Sequence, residues 1–469
     1  MNNFFLNNKL ENILQKNKFN ILFLLLIICF ILIINKNKNK KNKNKNVKLV
    51  KKYNKYPLNL DFINVQNNKV LLNEKNEKSK HRNILHKSLT YKICDEKKLI
   101  KPLKRILEKH NIKNIEYEIK RKNKKDWDLY LPCGYNYAEI ELQQIKLSSP
   151  NQMIYAIKGC DKIASKNELW KIVNNYYGRK IASTLIPETF IINDLGDIKL
   201  FKKQFNKNEI YFLKKNIQRK EGILITSDYD QIMKNVMNSR KDLKDYYKNN
   251  FELYNKSKNL KEEENFSKLS KINTLPTNFK IIQKGIKNLF LVKNRKVNLR
   301  LYLLITIKQG IKRFFLYNEG KCIYTQKDVN ILLDKDKIDK EQHLTSYNLD
   351  SEIYKTHPES ISDLSKFLNI KKLLNNINSL FKNIVYAIKD EIGNSKRLKN
   401  NLTFQLFGAD VIFTKTLHPY LLEFNKGPSM KFITERDHNM KMKLLEDVFL
   451  KVGLIKNQQN TPNNNFIEI

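Results

Sequence analysis

Cysteine is scarce in this chain, at five of 469 residues, and the number is odd. The cysteines are widely spaced, and no Cys-x-x-Cys pair occurs. This pattern argues against a disulfide framework and against a zinc site, and it fits a reducing compartment. The five residues are Cys29, Cys94, Cys133, Cys160 and Cys322.

Signatures of a dedicated nucleic-acid reader are also lacking: there is no zinc-finger spacing, no RNA-recognition signature and no basic heptad array. Acidic residues are few relative to basic ones, and the formal net charge is +42. This charge has two interpretations. It can attract a polyanion such as an acidic peptide, nucleic acid or an anionic membrane, or it can reflect compositional bias, because Lys, Asn and Ile are used heavily throughout. We expect no specific nucleic-acid partner.

The chain has one long apolar run, Ile21–Ile34. Together with Phe19 and Asn20 it would span roughly 24 Å as a helix, and flanking lysines can extend their reach towards the full hydrocarbon core of about 30 Å. No small-residue cleavage site follows, which favours an uncleaved transmembrane anchor over residues 19–35 rather than a signal peptide or a buried core helix. The excess of lysines over residues 36–55 predicts that the C-terminal side faces the cytosol.

Helical and strand patterns interleave along the rest of the chain, which predicts an α+β fold with more than one lobe. The predicted helices are Lys98–His110, Asn167–Tyr177, Leu364–Glu391 and His438–Val452. The predicted strands are Trp127–Leu131, Tyr137–Leu142, Pro187–Ile192, Ile198–Phe201, Ile210–Lys214, Ile223–Ile225, Lys280–Ile286, Leu299–Ile307 and Phe314–Tyr317. Ser227–Phe279 has no clear period and is typical of an insertion or flexible lobe, and Gln458–Ile469 of a frayed tail.

Two β-branched and aromatic runs near the C terminus, Ala409–Phe413 and Tyr420–Phe424, predict an antiparallel hairpin. With a symmetric loop, Asp410 lies opposite Glu423, and Asn425 is on the same face. Facing carboxylates repel unless a cation lies between them, and two acids with an amide oxygen suit Mg²⁺. The alternative is a pair of surface carboxylates neutralised by nearby lysines.

Two further segments carry cations on predicted strands. Lys214 ends an apolar strand before the basic loop Gln218–Gly222, an arrangement that suits phosphate oxygens but also describes a solvated basic turn. Lys296, Asn298 and Arg300 alternate along one strand face. Such a face is usually exposed, but the run continues into apolar residues, which favours partial burial.

Five segments of the chain resemble motifs of the tubulin-tyrosine ligase-like family, an ATP-grasp group, and they occur in the same order as in that family. The similarity spans about residues 125–455 and includes an upstream stretch, Ile154–Trp170, that resembles the family's Asn-x-x-Pro-Gly … Lys-x-x-Leu segment. The five are Tyr211–Lys215 (Trp-Ile-Val-Lys-Pro in the family), Gln283–Ile286 (Gln-Lys-Tyr-Ile), Lys296–Arg300 (Lys-Phe-Asp-Leu-Arg), His343–Ser346 (His-Leu-Thr-Asn), and Phe407–Asp410 with Leu422–Ser429 (Phe-Gly-Phe-Asp … Leu-Glu-Val-Asn-x-x-Pro-Ser).

The resemblance implies an ATP-grasp fold, with N-terminal, central and C-terminal lobes that contain antiparallel sheets, preceded here by the transmembrane helix. We place the boundaries as follows: 1–56, anchor and Lys/Asn-rich linker; 85–195, N-terminal lobe; 196–290, central lobe with insertion 227–279; 291–455, C-terminal lobe with the metal site; and 456–469, flexible tail.

The resemblance also implies roles for matching positions. In family terms, Lys214 contacts ATP phosphates, Gln283, Lys284, Gly285 and Ile286 line the adenine pocket mostly through backbone, Lys296 and Asn298 lie by the ribose and phosphates, Thr345 touches the nucleotide, Arg300 neutralises the γ-phosphate, and Asp410, Glu423 and Asn425 hold Mg²⁺.

The implied activity is that of an ATP- and Mg²⁺-dependent carboxylate–amine ligase. It would add a free amino acid (glutamate, glycine or tyrosine) to an acidic protein tail such as that of tubulin, through an acyl phosphate. Phosphoryl transfer needs positioning and charge neutralisation more than a protein nucleophile, so the lack of an obvious Ser/His/Asp or Cys/His set is expected. With the anchor, the enzyme would be membrane-bound and its catalytic part would face the cytosol.

The chain departs from the family pattern at several positions. The proline after the phosphate lysine is Lys215, the hinge tyrosine is Gly285, the strand aspartate is Asn298, and Ser346 replaces an asparagine. The family's substrate-binding arginine falls on Ile323, and its glycine-rich phosphate loop keeps only one glycine. The alternative function is therefore a degenerate, non-catalytic ATP-grasp protein that tethers acidic partners to a membrane.

Overall fold

The computed structural model describes residues 90–92, 97–110, 116–118, 127–132, 138–217, 222–241, 278–329, 338–346, 351–455 and 464–469. All of these lie in one compact unit, His81–Ile469. The predicted anchor, the linker and residues 242–277 of the predicted insertion lie outside the described residues. Within the described ranges, no helix is long and apolar enough to cross a membrane.

The fold is α+β, with one mixed sheet and one antiparallel sheet. The helices, in chain order, are α1 Lys97–Lys109, α2 Ala138–Gln144, α3 Cys160–Ala164, α4 Lys166–Tyr177, α5 Arg179–Leu185, α6 Leu195–Gln204, α7 over residues 229–241, α8 Lys340–His343, α9 Ile370–Ile388 and α10 Glu435–Lys451. Short 3₁₀ helices cover Ser351–Lys355, Ser362–Lys366 and Lys396–Leu398.

The strands are β1 Thr90–Lys92, β2 Glu116–Glu118, β3 Leu129–Tyr130, β4 Met153–Ile154, β5 Thr189–Ile191, β6 Tyr211–Lys214, β7 Ile223–Thr226, β8 Ile281–Lys284, β9 Leu291–Val292, β10 Arg295–Lys308, β11 Ile311–Tyr317, β12 Lys321–Tyr324, β13 Leu402–Phe413, β14 Pro419–Asn425 and β15 Phe466–Glu468. The larger sheet runs β15-β11-β10-β13-β4-β3-β1-β2, with β9 and β12 also paired to β10 and β14 paired to β13. The smaller sheet runs β5-β8-β6-β7.

The long strand β10 positions the site because its two faces differ. Alternate residues from Val297 to Ile307 point into the main hydrophobic core, with helices α4, α5 and α9. On the opposite face, Tyr302 and Leu304 enter a second core with α1 and α10. The preceding residues of that face are polar, because the period of two places Lys296, Asn298 and Arg300 on the same side. A third core joins the smaller sheet to α6 and α7.

Two strand predictions are wrong, because both segments form helices. Tyr137–Leu142 lies mostly in α2, where Ala138 and Leu142 are buried four residues apart. Ile198–Phe201 lies in α6, where the buried pair is three residues apart and the Asp194 carboxylate accepts a hydrogen bond from the Asp197 amide at the N-cap. Spacings of three and four residues place side chains on one face of a helix. In a short segment, two apolar residues are too few to distinguish a helix from a strand.

Two segments predicted to be irregular are partly ordered. Residues 229–241, inside the predicted insertion, form helix α7, and Ile232 and Val236 are buried in the third core. The tail prediction is wrong for Phe466–Glu468, which forms edge strand β15 against β11. Phe466 is buried against Tyr317, with ring centres 4.9 Å apart, and this packing holds the tail in place.

Candidate functional site

A cavity of about 1050 Å³ is lined by both sheets and the segments that connect them. The smaller sheet contributes β6, β7 and β8, and the larger sheet contributes β9, β10, β13 and β14. Of the residues that the sequence analysis assigned to the site, those on the lining are Lys214, Gln283, Lys284, Gly285, Ile286, Lys296, Asn298, Thr345, Asp410 and Glu423. The other two, Arg300 and Asn425, contact these acids rather than the cavity itself.

Asp410 and Glu423 are cross-strand partners in the β13–β14 hairpin, as predicted. The loop that the sequence predicts, Thr414–Pro419, is one residue too long, because Phe413 pairs with Pro419 and Val411 with Leu421. A bulge between Asp410 and Val411 shifts the register by one residue and restores the facing acids. Bulges are known to re-aim side chains beside functional sites.

A row of four charged residues crosses the sheet beside the cavity. Lys321 on β12 pairs with Arg300 on β10, Arg300 pairs with Asp410, and Asp410 pairs with Glu423 on β14. Cross-strand partners lie on one face of a sheet. The two cations therefore occupy one end of the row and the two acids the other, and Arg300 and Asp410 meet in the middle.

Each acid in this row is bound by a cation of the chain. Arg300 forms a bidentate pair with Asp410, with Nε 2.5 Å from Oδ1 and a terminal nitrogen 3.1 Å from Oδ2. Lys166 Nζ lies 2.9 Å from Glu423 Oε2. The Asn425 amide nitrogen lies 3.5 Å from an oxygen of each acid. The negative charges of both acids are thus compensated by cationic side chains of the protein itself.

The two acids differ in proton affinity. Burial and the charge of Glu423 raise the pKa of Asp410, although Arg300 opposes them. Burial would also raise the pKa of Glu423, but Lys166 and the neighbouring cations Lys214 and Arg300 hold it below its usual value. The difference follows from the like charge of the acids and from the additional lysine beside Glu423.

The donor set fits a hard divalent cation. Two carboxylates and one amide oxygen on the same face, at the edge of a cavity, match the oxygen ligands of Mg²⁺. The Asn425 amide directs its nitrogen towards both acids, and a half-turn of the amide would present its oxygen instead. Asp410, Glu423 and Asn425 are thus the residues that would hold the ion.

Two lysines of the cavity are buried with no carboxylate within hydrogen-bonding distance in the described residues. Lys214 Nζ donates to Gln283 Oε1 at 2.6 Å, and Lys296 Nζ donates to the His343 carbonyl at 2.8 Å. Burial lowers the pKa of Lys214 to about 8. Burial and the charge of Lys214 lower the pKa of Lys296 to about 7. A bound polyanion would relieve the cost of both charges.

The sequence of residues 144–461 matches the model of the "Tubulin-tyrosine ligase family". The chain belongs to the tubulin-tyrosine ligase family. Among its relatives is "Tubulin polyglutamylase TTLL7" of Xenopus tropicalis, which is 25% identical over 187 residues, covering 35% of this chain and 20% of that protein. "Probable tubulin polyglutamylase TTLL9" of Bos taurus is 25% identical over 186 residues, covering 37% and 38%.

A third relative is "Tubulin glycylase 3D" of Tetrahymena thermophila, 25% identical over 185 residues, which cover 36% of this chain and 17% of that protein. Each match thus spans well under half of the relative's length. At the level of the family, these names support a ligase-type enzyme, and membership of the tubulin-tyrosine ligase family agrees with the α+β architecture of the chain.

The structure shows the contacts made at three of the positions that depart from the family pattern. Gly285 allows a close backbone approach, because a Cβ atom there would lie 2.8 Å from the Ile210 carbonyl oxygen. The Asn298 amide donates to Thr345 Oγ1 at 3.0 Å, and its buried oxygen has no hydrogen-bond partner among the described residues. Ile323 is the cross-strand neighbour of Asn298 on β12 and is buried.

Lys321 does not replace the cation that the family has at the position of Ile323. The two residues share one face of β12, but Lys321 is only 2% exposed. Its Nζ lies 2.6 Å from Asp437 Oδ2, at the beginning of α10. The residue is therefore held inside the protein and is absent from the described lining of the large cavity.

Sequence reasoning missed Lys166 as a site residue. It lies in the stretch Ile154–Trp170 that resembles the family, but no role was given to it. Lys166 begins α4, and its side chain is 8% exposed. The signal available was the family's Lys-x-x-Leu pattern, which Lys166 and Leu169 match. Because Lys166 and Glu423 are far apart in the sequence, no local pattern indicated their contact.

Proposed function

We propose that this chain is an ATP- and Mg²⁺-dependent carboxylate–amine ligase with an ATP-grasp fold. It would add a free amino acid to an acidic protein tail. One observation carries the proposal: the buried lysines Lys214 and Lys296 and the facing acids Asp410 and Glu423 line the same cavity. A nucleotide polyphosphate with its divalent cation is a ligand that satisfies both charge sets.

The cavity residues would bind the parts of ATP separately. The strand end Gln283–Ile286 would line the adenine pocket. Lys214 and Lys296 would hold phosphate oxygens, because their ammonium groups lack a carboxylate partner in the described structure. Arg300 would neutralise charge that develops on the γ-phosphoryl group. Mg²⁺, when held by Asp410, Glu423 and Asn425, supplies further neutralisation of phosphate charge.

The reaction would proceed in two displacements. A carboxylate oxygen of the acceptor attacks the γ-phosphorus, the bond to the β–γ bridging oxygen breaks, and ADP leaves with that electron pair. The amino nitrogen of the free amino acid then attacks the acyl carbon, the amine loses a proton, and inorganic phosphate departs. Both steps depend on alignment and on neutralised charge, which the buried cations provide.

The acceptor and the amino acid are proposed from charge and from the family. The chain carries a formal net charge of +42, which favours an acidic tail over a neutral peptide. Relatives are named tubulin polyglutamylases and a tubulin glycylase. We therefore propose a tubulin-like tail as acceptor and glutamate, glycine or tyrosine as the added amino acid.

A second candidate is a non-catalytic member of the fold that binds acidic partners. Ile323, at the position that the resemblance assigns to an arginine of the family, favours it, since Lys321 is paired with Asp437. The metal acids Asp410 and Glu423 and the phosphate lysines favour the enzyme, because a decayed site would be expected to lose such costly buried charges.

The test is product formation by the full-length chain. The protein is incubated with Mg·ATP, an acidic tail peptide and one amino acid at a time, and ADP release and intact peptide mass are recorded. The ligase predicts ADP release and a mass gain of one amino-acid residue, both lost in Asp410→Asn. Binding of the peptide that survives Asp410→Asn, with no mass gain for any amino acid, would instead support the non-catalytic binder.

We also propose that residues 19–35 anchor the protein in a membrane, with the ligase part on the cytosolic side. The support is the apolar run Ile21–Ile34 and the lysines that follow it. Deletion of residues 1–56 should move the protein from the membrane pellet to the supernatant after cell fractionation. Retention of the deletion variant in the pellet after a high-salt wash would contradict the anchor.

A further inference from the structure

The acids that would hold Mg²⁺ are already bound by side chains of the protein. Arg300 covers both oxygens of Asp410, and Lys166 covers Oε2 of Glu423. The nitrogen of Asn425 faces both acids. Both acids of the proposed metal-binding trio are thus in contact with donor groups of the protein itself.

Lys166 is fixed in this position by contacts at its backbone and at its side chain. Its amide donates to Asn216 Oδ1 at 3.2 Å, and its Nζ also donates to the Ile217 carbonyl at 3.3 Å. Asn216 and Ile217 follow Lys214, at the end of β6. Lys166 therefore connects the segment beside the phosphate lysine with Glu423 on β14.

A divalent cation that arrives alone must displace these groups. It would separate Glu423 from Lys166 and Asp410 from Arg300, and each displaced cation would lose its carboxylate in a site with little solvent. A cation that arrives with a polyphosphate differs, because the phosphate oxygens supply new anionic partners for the displaced cations.

On the basis of the proposed function, we infer that Lys166 and Arg300 close the metal site to free divalent cations and open it to a metal–nucleotide complex. Metal and nucleotide therefore bind with strong mutual dependence. Lys166 is the residue that sets this dependence at Glu423, and nothing in the motifs of the sequence assigns it such a role.

The experiment measures Mn²⁺ binding to the full-length chain by electron paramagnetic resonance, in which the signal of free Mn²⁺ falls as the ion binds. The variants are Lys166→Met, which removes the charge, and Lys166→Gln, which keeps a donor. The matched control is Lys171→Met, on the same helix, where the Lys171 side chain is 44% exposed and pairs with Glu168. Thermal melts confirm that each variant is folded.

We expect wild type to bind Mn²⁺ alone weakly. Both Lys166 variants should bind it about tenfold more tightly, because a positive charge near the ion is removed. Lys171→Met should match wild type. Adding Glu423→Gln to Lys166→Met should abolish the gain, which assigns it to this site. Equal or weaker Mn²⁺ binding by the Lys166 variants would overturn the inference.

A second measurement needs no variant. With a non-hydrolysable ATP analogue present, wild type should bind Mn²⁺ at least about a hundredfold more tightly than without it. A ratio near one, with the analogue bound, would overturn the closed site but leave the proposed function standing. Failure to bind the analogue with or without Mn²⁺ would instead remove the proposed function, and the inference with it.

Discussion

Lys214 and Lys296 place their ammonium nitrogens 5.8 and 5.6 Å from the centre of the same ring, that of Phe212. One lysine comes from the smaller sheet and the other from β10 of the larger sheet. Each is less than a tenth exposed. The aromatic face provides partial stabilisation of the two charges, but their mutual repulsion persists until an anion is bound.

The first prediction concerns proton uptake on nucleotide binding. The pKa of Lys214 is about 8 and that of Lys296 about 7, so both lysines are partly neutral near pH 8. Phosphate oxygens favour the charged form and raise both pKa values, so binding takes up protons and weakens as the pH rises from 7 to 9. Calorimetry at pH 8 in two buffers of different ionisation enthalpy measures the uptake.

The control for this prediction is Lys296→Met, which should take up fewer protons than wild type at the same pH. Binding without net proton uptake by wild type, or with equal uptake by the variant, would contradict the assignment of these two lysines to the phosphates.

The second prediction concerns Arg300. Replacement with Met should lower the rate of ADP release about a thousandfold, because a guanidinium that neutralises a transferring phosphoryl group contributes on this order. The control is Arg313→Met on the neighbouring strand β11, where Arg313 pairs with Glu468 at the surface. That variant should retain nearly full activity. A loss below tenfold in folded Arg300→Met would show that Arg300 does not act on the phosphoryl group.

The third prediction concerns Gly159, in the segment that precedes Lys166 in the chain. Gly159 has φ +91°, and a Cβ atom there would lie 2.2 Å from the Glu391 carbonyl oxygen. Gly159→Ala should therefore lower the free energy of unfolding by about 2 kcal/mol or more. Gly393→Ala is the matched control, because Gly393 forms the bridge to Lys158 but has open space around its Cα. Equal melting temperatures for the two variants would contradict this account.

The fourth prediction concerns the C-terminal strand. Phe466→Ala should cost about 3 kcal/mol of unfolding free energy, as is usual for a buried phenylalanine. Ile467→Ala should have little effect, because Ile467 is 48% exposed and its side chain points away from the core. The two melting temperatures give the comparison. If both changes were neutral, the tail would be frayed in solution.

The sequence correctly predicted that Asp410 lies opposite Glu423, but it did not predict the bulge that places them there. Alternation along each run defines which residues share a face. The loop is one residue shorter than the predicted loop, Thr414–Pro419, and the bulge near Leu422 compensates for the difference. Bulges depend on local backbone conformation and on packing beneath the strand, and neither is visible in a hydrophobic pattern.

Long periodic elements were predicted well, and short ones were not. The strand β10 and the helices α4 and α10 extend over many residues, so their periods are unambiguous. Tyr137–Leu142 and Ile198–Phe201 are too short for periods of two and 3.6 to be distinguished. In β15, pairing with β11 and the packing of Phe466 against Tyr317 order the chain, and such long-range contacts leave no local pattern.

The most direct test of the central claim is calorimetric titration of a non-hydrolysable ATP analogue into the full-length chain, with and without Mg²⁺. The account predicts binding that depends on Mg²⁺ and weakens at least tenfold in Glu423→Gln, whereas Glu435→Gln on α10 resembles wild type. Equal affinity with and without Mg²⁺, unchanged in Glu423→Gln, would contradict a metal–nucleotide site at these acids.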